Sequence, residues 1–579
     1  MKVTLTTICA FVFSLVLYFL YYNFSSPILL WVGVIVSFLS VILGIVKGKN
    51  ETNRLFPVLL FLISLRMLAA MHTVPWGYTV ESDSSYSLQL SNLIHTTGRW
   101  APGMGLGVEA EYSFYPGLNI WTAMLTEISC LDTANFARFI YPALSGSLVL
   151  VFYYLAIRSV LREKVAIWAT LILCLNQIFV FFDGYYIHES FGLVFFSIFL
   201  MCLFYAFSKK TTYAGFVLVG ILSIFCTTIS HHWSSYNLLI VSTVFLVLPA
   251  LTAYLFNLRR QGVSRLAKSP MLSLSFVVLI FSIVLAWALL VAFRIFDYHI
   301  LWSYQFAESV LNPLSSGHPS LTLRYFTFLE RALIIAGTAV LVALGIKGLI
   351  GTLVKKEKNR HDALLVSWFV FCAAYIVSFS YFSPSFFGAL SISKRAWTFA
   401  FFGLSPLIAV AIVNERVGFN RILKRRFPKN LLSVVLSLLL IFPLVAAILQ
   451  APLVIHNPSY FLPGDSYHST ITWIEQHAQN ETLTVDAYSR VALIPYVRLN
   501  FQLIENSTGD SGIVLYRSGD LAYILPHGAK VIVFSKNLGE IYNWYPNVSS
   551  DPSELERYAN KIHDSVTTSI YILEMESGK

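Results

Sequence analysis

The sequence predicts a mainly α-helical membrane protein: a bundle of about thirteen transmembrane helices in residues 1–450, followed by a small extracytoplasmic α/β domain in residues 451–579. Three observations lead there. Of 579 residues, 56% are hydrophobic and only 12% charged, with a mean hydropathy of +0.68, which is more apolar surface than a water-soluble core can hide. Thirteen apolar runs approach or reach the length that spans a hydrocarbon layer, roughly 17 to 25 residues. The charge also divides near position 450. Residues 1–450 hold 32 Lys and Arg against 16 Asp and Glu, a balance of +16, whereas residues 451–579 hold 8 against 14, a balance of −6.

The runs fall at 6–23, 27–46, 55–74, 134–157, 165–182, 189–207, 213–230, 236–257, 271–293, 332–354, 363–381, 396–413 and 431–450. As helices they satisfy their own backbone polar groups, which lipid cannot do for them. The first has one lysine before it and no small-residue cleavage site after it, so it is expected to stay as a helix rather than be removed as a signal.

Orientation follows the basic residues. Lys2, the cluster Lys47, Lys49 and Arg54, then Arg158, Arg162 and Lys164, the pair Lys209 and Lys210, the group Arg259 to Lys268, and the stretches Lys347 to Arg360 and Arg416 to Lys429 fall on alternate loops. These loops form the cytoplasmic side, with the N-terminus, of a multi-pass protein expected in the cell membrane. The basic excess orients helices and meets anionic membrane lipid, so nucleic acid is not implied. The segment Tyr112 to Ser129 is apolar enough to imitate a span. Counting it as one would put every later basic cluster outside, so it is expected to be a juxtamembrane helix within a long external loop, 75–131.

The C-terminal residues then lie outside. Sequons at Asn480, Asn506 and Asn547 agree with that side. Strand-like runs at Thr482 to Val485, Ala529 to Phe534 and Ser569 to Leu573 alternate with helical stretches at Ser469 to His477 and Ser553 to Ile562. Five of the six cysteines lie in apolar runs, and Cys130 ends another, so neither a disulfide framework nor a zinc site is spelled out.

Candidate chemistry gathers on the external face. Glu81 and Asp83 follow the third run two residues apart. In an extended segment they would face the same way, able to share a divalent cation such as Mg or Mn, or to divide base and metal roles. The bland alternative is a solvated acid, or an N-cap for a helix starting near Ser85. The sequences DGYYIHE and SHHWSSYN place His188, Glu189, His231 and His232 at comparable depth, where imidazole and carboxylate groups can bind a metal or a substrate, or merely reach for interfacial water. Lys394 and Arg395 break the scarcity of basic residues outside. A lipid phosphate would suit them, as headgroup snorkelling also would, and Arg324 is a further candidate of the same kind. Arg66 and Arg138 lie inside apolar runs and call for an acidic or carbonyl partner, with Glu127 one possibility.

The order of a membrane helix, ESD in a long external loop, an amphipathic stretch ending in Gly98, and then FYPGLNIWTAMLTEISCLDTANFARFIYPALSG resembles the polytopic GT-C glycosyltransferases. The mannosyl- and aminoarabinosyl-transferases that use polyprenyl-phosphate sugars are the nearest in layout. Asp83, Tyr115 with Pro116, and Arg138 carry the resemblance, which covers about residues 55–240 by motif. It implies a GT-C-like bundle and an inverting transfer on the external face, from a dolichyl- or undecaprenyl-phosphate sugar to a protein, lipid or glycan acceptor. It also implies Asp83 as base or metal ligand and Lys394 or Arg395 as a phosphate clamp. The first two runs are additional to that layout, Pro116-Gly117 replaces a double proline, and the WWDYG signature of oligosaccharyltransferases is absent. The competing expectation is a non-catalytic transporter, flippase or scaffold. Against it, polar residues gather at the external surface rather than the midplane, and no internal repeat is visible.

Overall fold

The computed structural model describes residues 2–24, 27–73, 82–104, 112–176, 179–180, 184–208, 214–255, 270–297, 300, 328–354, 360–382 and 387–413, together with strands at 483–485, 501–503, 531–535, 559–564 and 568–573. The helices are α1 (Lys2–Phe24), α2 (Pro27–Lys47), α3 (Glu51–Thr73), α4 (Ser82–Thr97), α5 (Gly117–Ser129), α6 (Tyr141–Val160), α7 (Glu163–Leu173), α8 (His188–Ser208), α9 (Ala214–Ser230), α10 (His232–Leu255), α11 (Leu274–Leu290), α12 (Phe328–Leu353), α13 (Arg360–Phe382) and α14 (Phe387–Val413). Every expected run up to residue 413 overlaps one of these helices, and the run at 431–450 lies outside the described residues. Among the described residues, Ile28–Lys47, Thr133–Val160 and His188–Ser208 are long and apolar enough to cross a membrane, and shorter apolar helices accompany them. The chain is a multi-pass membrane protein.

The run at 165–182 departs from expectation. Its helix ends at Leu173, after 11 residues, and the chain turns at Asn176, whose side-chain oxygen accepts from the amide of Phe179 at 3.4 Å. The helix closes with i to i+3 bonds from the amides of Leu175 and Asn176 to the carbonyls of Ile172 and Leu173, and the Asn176 side chain then offers the backbone beyond the turn a local acceptor.

Helices pack as hairpins and crossings: α1 on α2, α3 on α6, α6 on α8, α8 on α9, α10 on α13, and α14 against α7, α12 and α13. One apolar core runs through them, from Tyr18, Phe38 and Phe61 to Phe199, Phe204, Trp368 and Phe402. The segment expected to be juxtamembrane contains α5, 13 residues long. At 1.5 Å per residue it spans about 20 Å, short of a hydrocarbon layer of about 30 Å. Its inner face, Leu118, Asn119 and Thr122, is fully buried, while Met124 and Ile128 are exposed.

The five strands, β1 (Leu483–Val485), β2 (Phe501–Leu503), β3 (Val531–Ser535), β4 (Ala559–Asp564) and β5 (Thr568–Leu573), form one sheet in the order β2-β1-β3-β5-β4. The first three are parallel, with Leu483 opposite both Phe501 and Val531; β5 joins β3 antiparallel, with Val533 opposite Ile570. The expected strands are present. Of the expected helix at Ser553 to Ile562, residues 559–562 belong to β4 instead, because Asn560 pairs with Ile572 in an antiparallel ladder that overrides the local helical pattern, and residues 553–558 lie outside the described residues. The stretch Ser469 to His477 lies outside the described residues.

Candidate functional site

The ends of α4, α5 and α8 meet around one buried imidazole. Asp83 is the second residue of α4, which starts at Ser82 rather than near Ser85. Asp83 is therefore helical, and the extended-strand argument for pairing it with Glu81 does not hold. An acid in a first turn is favoured there by the helix dipole. Ser87, one turn further along α4, is fully buried.

His188 opens α8 and is 4% exposed. Its Nδ1 lies 3.1 Å from Ser87 Oγ and its Nε2 lies 2.6 Å from Asn119 Oδ1 on α5. The Asn119 amide donates from Nδ2 to the carbonyl of Ser87 at 2.7 Å and to Ser91 Oγ at 3.0 Å. That fixes the amide orientation, so Oδ1 faces the ring and Nε2 carries a proton. Ser91 Oγ in turn shares a hydrogen bond with Tyr186, 2.7 Å away, and Tyr186 donates to Thr122 Oγ1 at 2.8 Å. Burial pushes the Tyr186 hydroxyl pKa upward, keeping it a neutral donor.

Aromatic rings enclose this polar centre. Tyr112 lies 5.2 Å from the His188 ring and 5.8 Å from Tyr86. Trp121 anchors α5 against Phe136 and Phe191, with ring centroids 5.5 and 5.1 Å away. The turn from α9 to α10 completes the group. His231 Nδ1 lies 3.0 Å from Ser234 Oγ, and its ring is 4.7 Å from that of His232, which faces Tyr115 at 5.4 Å. Burial raises the pKa of Tyr115 as well. Gly192 on α8 permits the contact with this turn, since a Cβ there would stand 3.1 Å from His231 Cβ and 2.9 Å from Ser234 Oγ. A small crevice lined by Tyr115, Thr228, His232, Tyr236 and Trp287 lies beside it.

The structure thus sets His188 against the α4 turn that follows Asp83, leaves His231 and His232 as a separate pair beside Gly192, one turn further along α8, and buries Glu189 (3% exposed) in the first turn of α8. Rather than reaching for interfacial water, His188, Glu189 and His231 lie inside protein. Lys394 and Arg395 fall within α14, which packs on α7, α12 and α13; only their backbone placement is described. Glu81 and Arg324 lie outside the described residues. Glu127 partners neither intramembrane arginine, since its carboxylate lies 3.5 Å from His95 Nδ1 across the α4 to α5 contact. Arg66 instead donates to the carbonyl of Phe179 at 2.7 Å and to Ser145 Oγ at 3.2 Å, while Arg138 sits in a π-turn over the ring of Phe139.

Asn119, Ser87, Ser91 and Tyr186 were not among the residues expected from sequence. The available signal was a lone asparagine in the apolar stretch GLNIW, paired with serines at i and i+4 on α4. Among the described residues, no three His, Cys, Asp or Glu side chains come together around a common point as a metal would require. His188 has both ring nitrogens engaged.

No protein-family model matches the chain, and no curated protein matches it in sequence. Solved structures do. The oligosaccharyltransferase of Archaeoglobus fulgidus in its apo form superposes with a TM-score of 0.57 and 13% identity, over 92% of this chain and 75% of that one. The same enzyme tethered to an acceptor peptide containing the NVT sequon gives 0.52 and 12%, over 89% and 74%. Its complex with zinc and sulfate gives 0.51 and 14%, over 88% and 73%. At these identities the likeness is one of fold: the chain shares the fold of that archaeal oligosaccharyltransferase.

Proposed function

We propose that this chain is a glycosyltransferase that moves a sugar from a polyprenyl-phosphate donor to a nucleophile on an acceptor at the extracytoplasmic membrane face. The carrying observation is the meeting of α4, α5 and α8 at His188, one turn along α4 from Asp83, with the α9 to α10 turn packed on Gly192 of the same α8. The shared fold with an oligosaccharyltransferase supports it, as does the juxtamembrane helix that lies beside this cluster.

In the proposed reaction the acceptor oxygen or nitrogen attacks the anomeric carbon from the face opposite the phosphate. The new bond forms as the carbon–oxygen bond to phosphate breaks, so configuration inverts and polyprenyl phosphate leaves. Asp83 takes the acceptor's proton, or holds a divalent cation such as Mg or Mn; Glu81 is the alternative carboxylate. Lys394 and Arg395, with Arg324 as a third candidate, neutralise the leaving phosphate. Catalysis of this kind is mainly orientation and electrostatics.

The topology that goes with this reading has thirteen spans, a cytoplasmic N-terminus, and an outer α/β domain at 451–579. Because WWDYG is absent, a single sugar or short glycan is a better donor load than a whole oligosaccharide destined for asparagine.

The test incubates purified full-length protein with radiolabelled polyprenyl-phosphate sugars and lipid, glycan or peptide acceptors. Transfer by the wild type, and its loss in Asp83→Asn with folding retained, is the expected result. Transport of the labelled lipid across proteoliposomes without any transfer would instead favour the transporter alternative.

A further inference from the structure

We infer that His188 is a positioning residue: its two ring hydrogen bonds set the rotation of α4, and with it Asp83, against the juxtamembrane helix α5. The inference rests on the glycosyltransferase reading, since only there does Asp83 have a reaction to serve.

The geometry is that of a strut. Nε2 is committed as a donor to Asn119 Oδ1, and Nδ1 as an acceptor from the hydroxyl of Ser87, in a site that is 4% exposed. Ser87 is held twice, because its carbonyl also accepts from Asn119 Nδ2 at 2.7 Å. Turning α4 about its axis would break both attachments at once and leave buried polar groups without partners. The ring itself cannot step aside, with Tyr112 against it at 5.2 Å. The α8 backbone cannot easily move either, with Gly192 pressed on His231 and Ser234.

Asp83 stands one helical turn before Ser87, at a position on the same face. A side-chain group some 6 Å from a helix axis moves about 1 Å for a rotation of about 10°, and a misplacement of that size can lower a rate about a hundred-fold. Asn119 extends the linkage to α5, whose outer residues Met124 and Ile128 are exposed. The carboxylate's setting is therefore tied to the helix at the bilayer surface.

Two variants test this in the full-length protein. Ser87→Ala removes only the α4 end of the strut, and His188→Leu removes the strut itself. Each is expected to lower kcat for sugar transfer at least about ten-fold while the donor KM stays within about two-fold, and the double variant is expected to be no worse than His188→Leu. A second readout needs no catalysis. In a Cys9→Ser, Cys130→Ser background, Asp83→Cys is labelled with a water-soluble maleimide, and both variants are expected to change the labelling rate. Unchanged kcat and unchanged labelling in folded Ser87→Ala, or additive effects in the double variant, overturn the inference. If wild type transfers no sugar yet labelling responds to Ser87→Ala, the enzymatic reading fails and the coupling between His188 and α4 stands.

Discussion

The hydroxyl of Tyr153 on α6 donates to the backbone oxygen of Phe402 on α14, 3.1 Å away. Phe402 stands four residues before Pro406, the one position whose missing N–H leaves that carbonyl without its helical donor. A neighbouring helix thus supplies what the proline withholds, which a hydrocarbon surrounding requires. Tyr153→Phe keeps the edge-to-face contact of the two rings, at 5.0 Å, and removes this hydrogen bond together with the one between the hydroxyl and Ser405 Oγ, 2.5 Å away. It is expected to destabilise the fold by about 1–3 kcal/mol. Adding Pro406→Ala restores an N–H for the carbonyl and should recover much of that loss. Thermal unfolding in detergent measures both; an equal loss in the two backgrounds would refute this account.

Arg66 makes the same point for a charge. Its guanidinium donates to the Phe179 carbonyl and lies over that residue's ring, 4.5 Å from the centroid. Gly146 on α6 leaves room for it, because a Cβ there would fall 2.6 Å from Arg66 Cδ. Gly146→Ala is expected to destabilise by about 1–3 kcal/mol through overpacking. In an Arg66→Ala background the same change should be nearly neutral. The double-mutant cycle reads the coupling directly, and additivity would show that the two residues do not share the space.

How far these features are legible in sequence varies with their range. The helices follow from local apolar length, and a helix too short to span is what the structure shows within Tyr112 to Ser129. The break at Asn176 and the strand over Ala559 to Ile562 do not follow, because each is decided by a local turn or a paired strand that hydropathy averages away. At the site, His188, Glu189 and the two adjacent histidines stood out as polar residues at helix ends. Their use did not. Whether a histidine binds a ligand or braces a helix depends on Ser87 and Asn119, distant in sequence and unremarkable in type. The partner of Arg66 was equally hidden, since a backbone carbonyl has no signature in a sequence.

Asn119, on α5, makes three side-chain hydrogen bonds that tie α5 to α4 and α8: two donations to α4 and one acceptance from the His188 ring. Asn119→Leu keeps volume but strands a ring N–H and a serine hydroxyl in a buried site, for an expected loss of about 1–3 kcal/mol. Glu127→Gln is the contrast. Its pairing with His95 is 76% exposed on the Glu127 side, so stability should change by no more than about 0.5 kcal/mol. Melting curves that rank these two the other way would overturn the view that the buried amide, not the surface ion pair, joins α4 to α5.

For the proposed reaction, Arg395→Ala is expected to raise the donor KM about ten-fold or more, whereas Arg395→Lys should recover part of it, since a planar guanidinium grips phosphate in two places and an ammonium in one. Titrating the transfer rate against polyprenyl-phosphate sugar distinguishes the two. An Arg395→Ala enzyme with unaltered KM would remove this residue from the phosphate clamp.

The proposed orientation has a native probe in Cys130, which is exposed at the C-terminal end of α5 in a left-handed backbone conformation with φ of 55°. If α5 rides on the extracytoplasmic surface, a membrane-impermeant maleimide added to intact cells should label the protein, and Cys130→Ser should abolish that label. Cys9, also exposed but within the apolar helix α1, should stay unlabelled because lipid covers it. Label that appears only after the membrane is permeabilised would place α5 in the cytoplasm. Every basic loop would then lie outside, Asp83 would face the cell interior, and the donor would have to be sought on the inner leaflet.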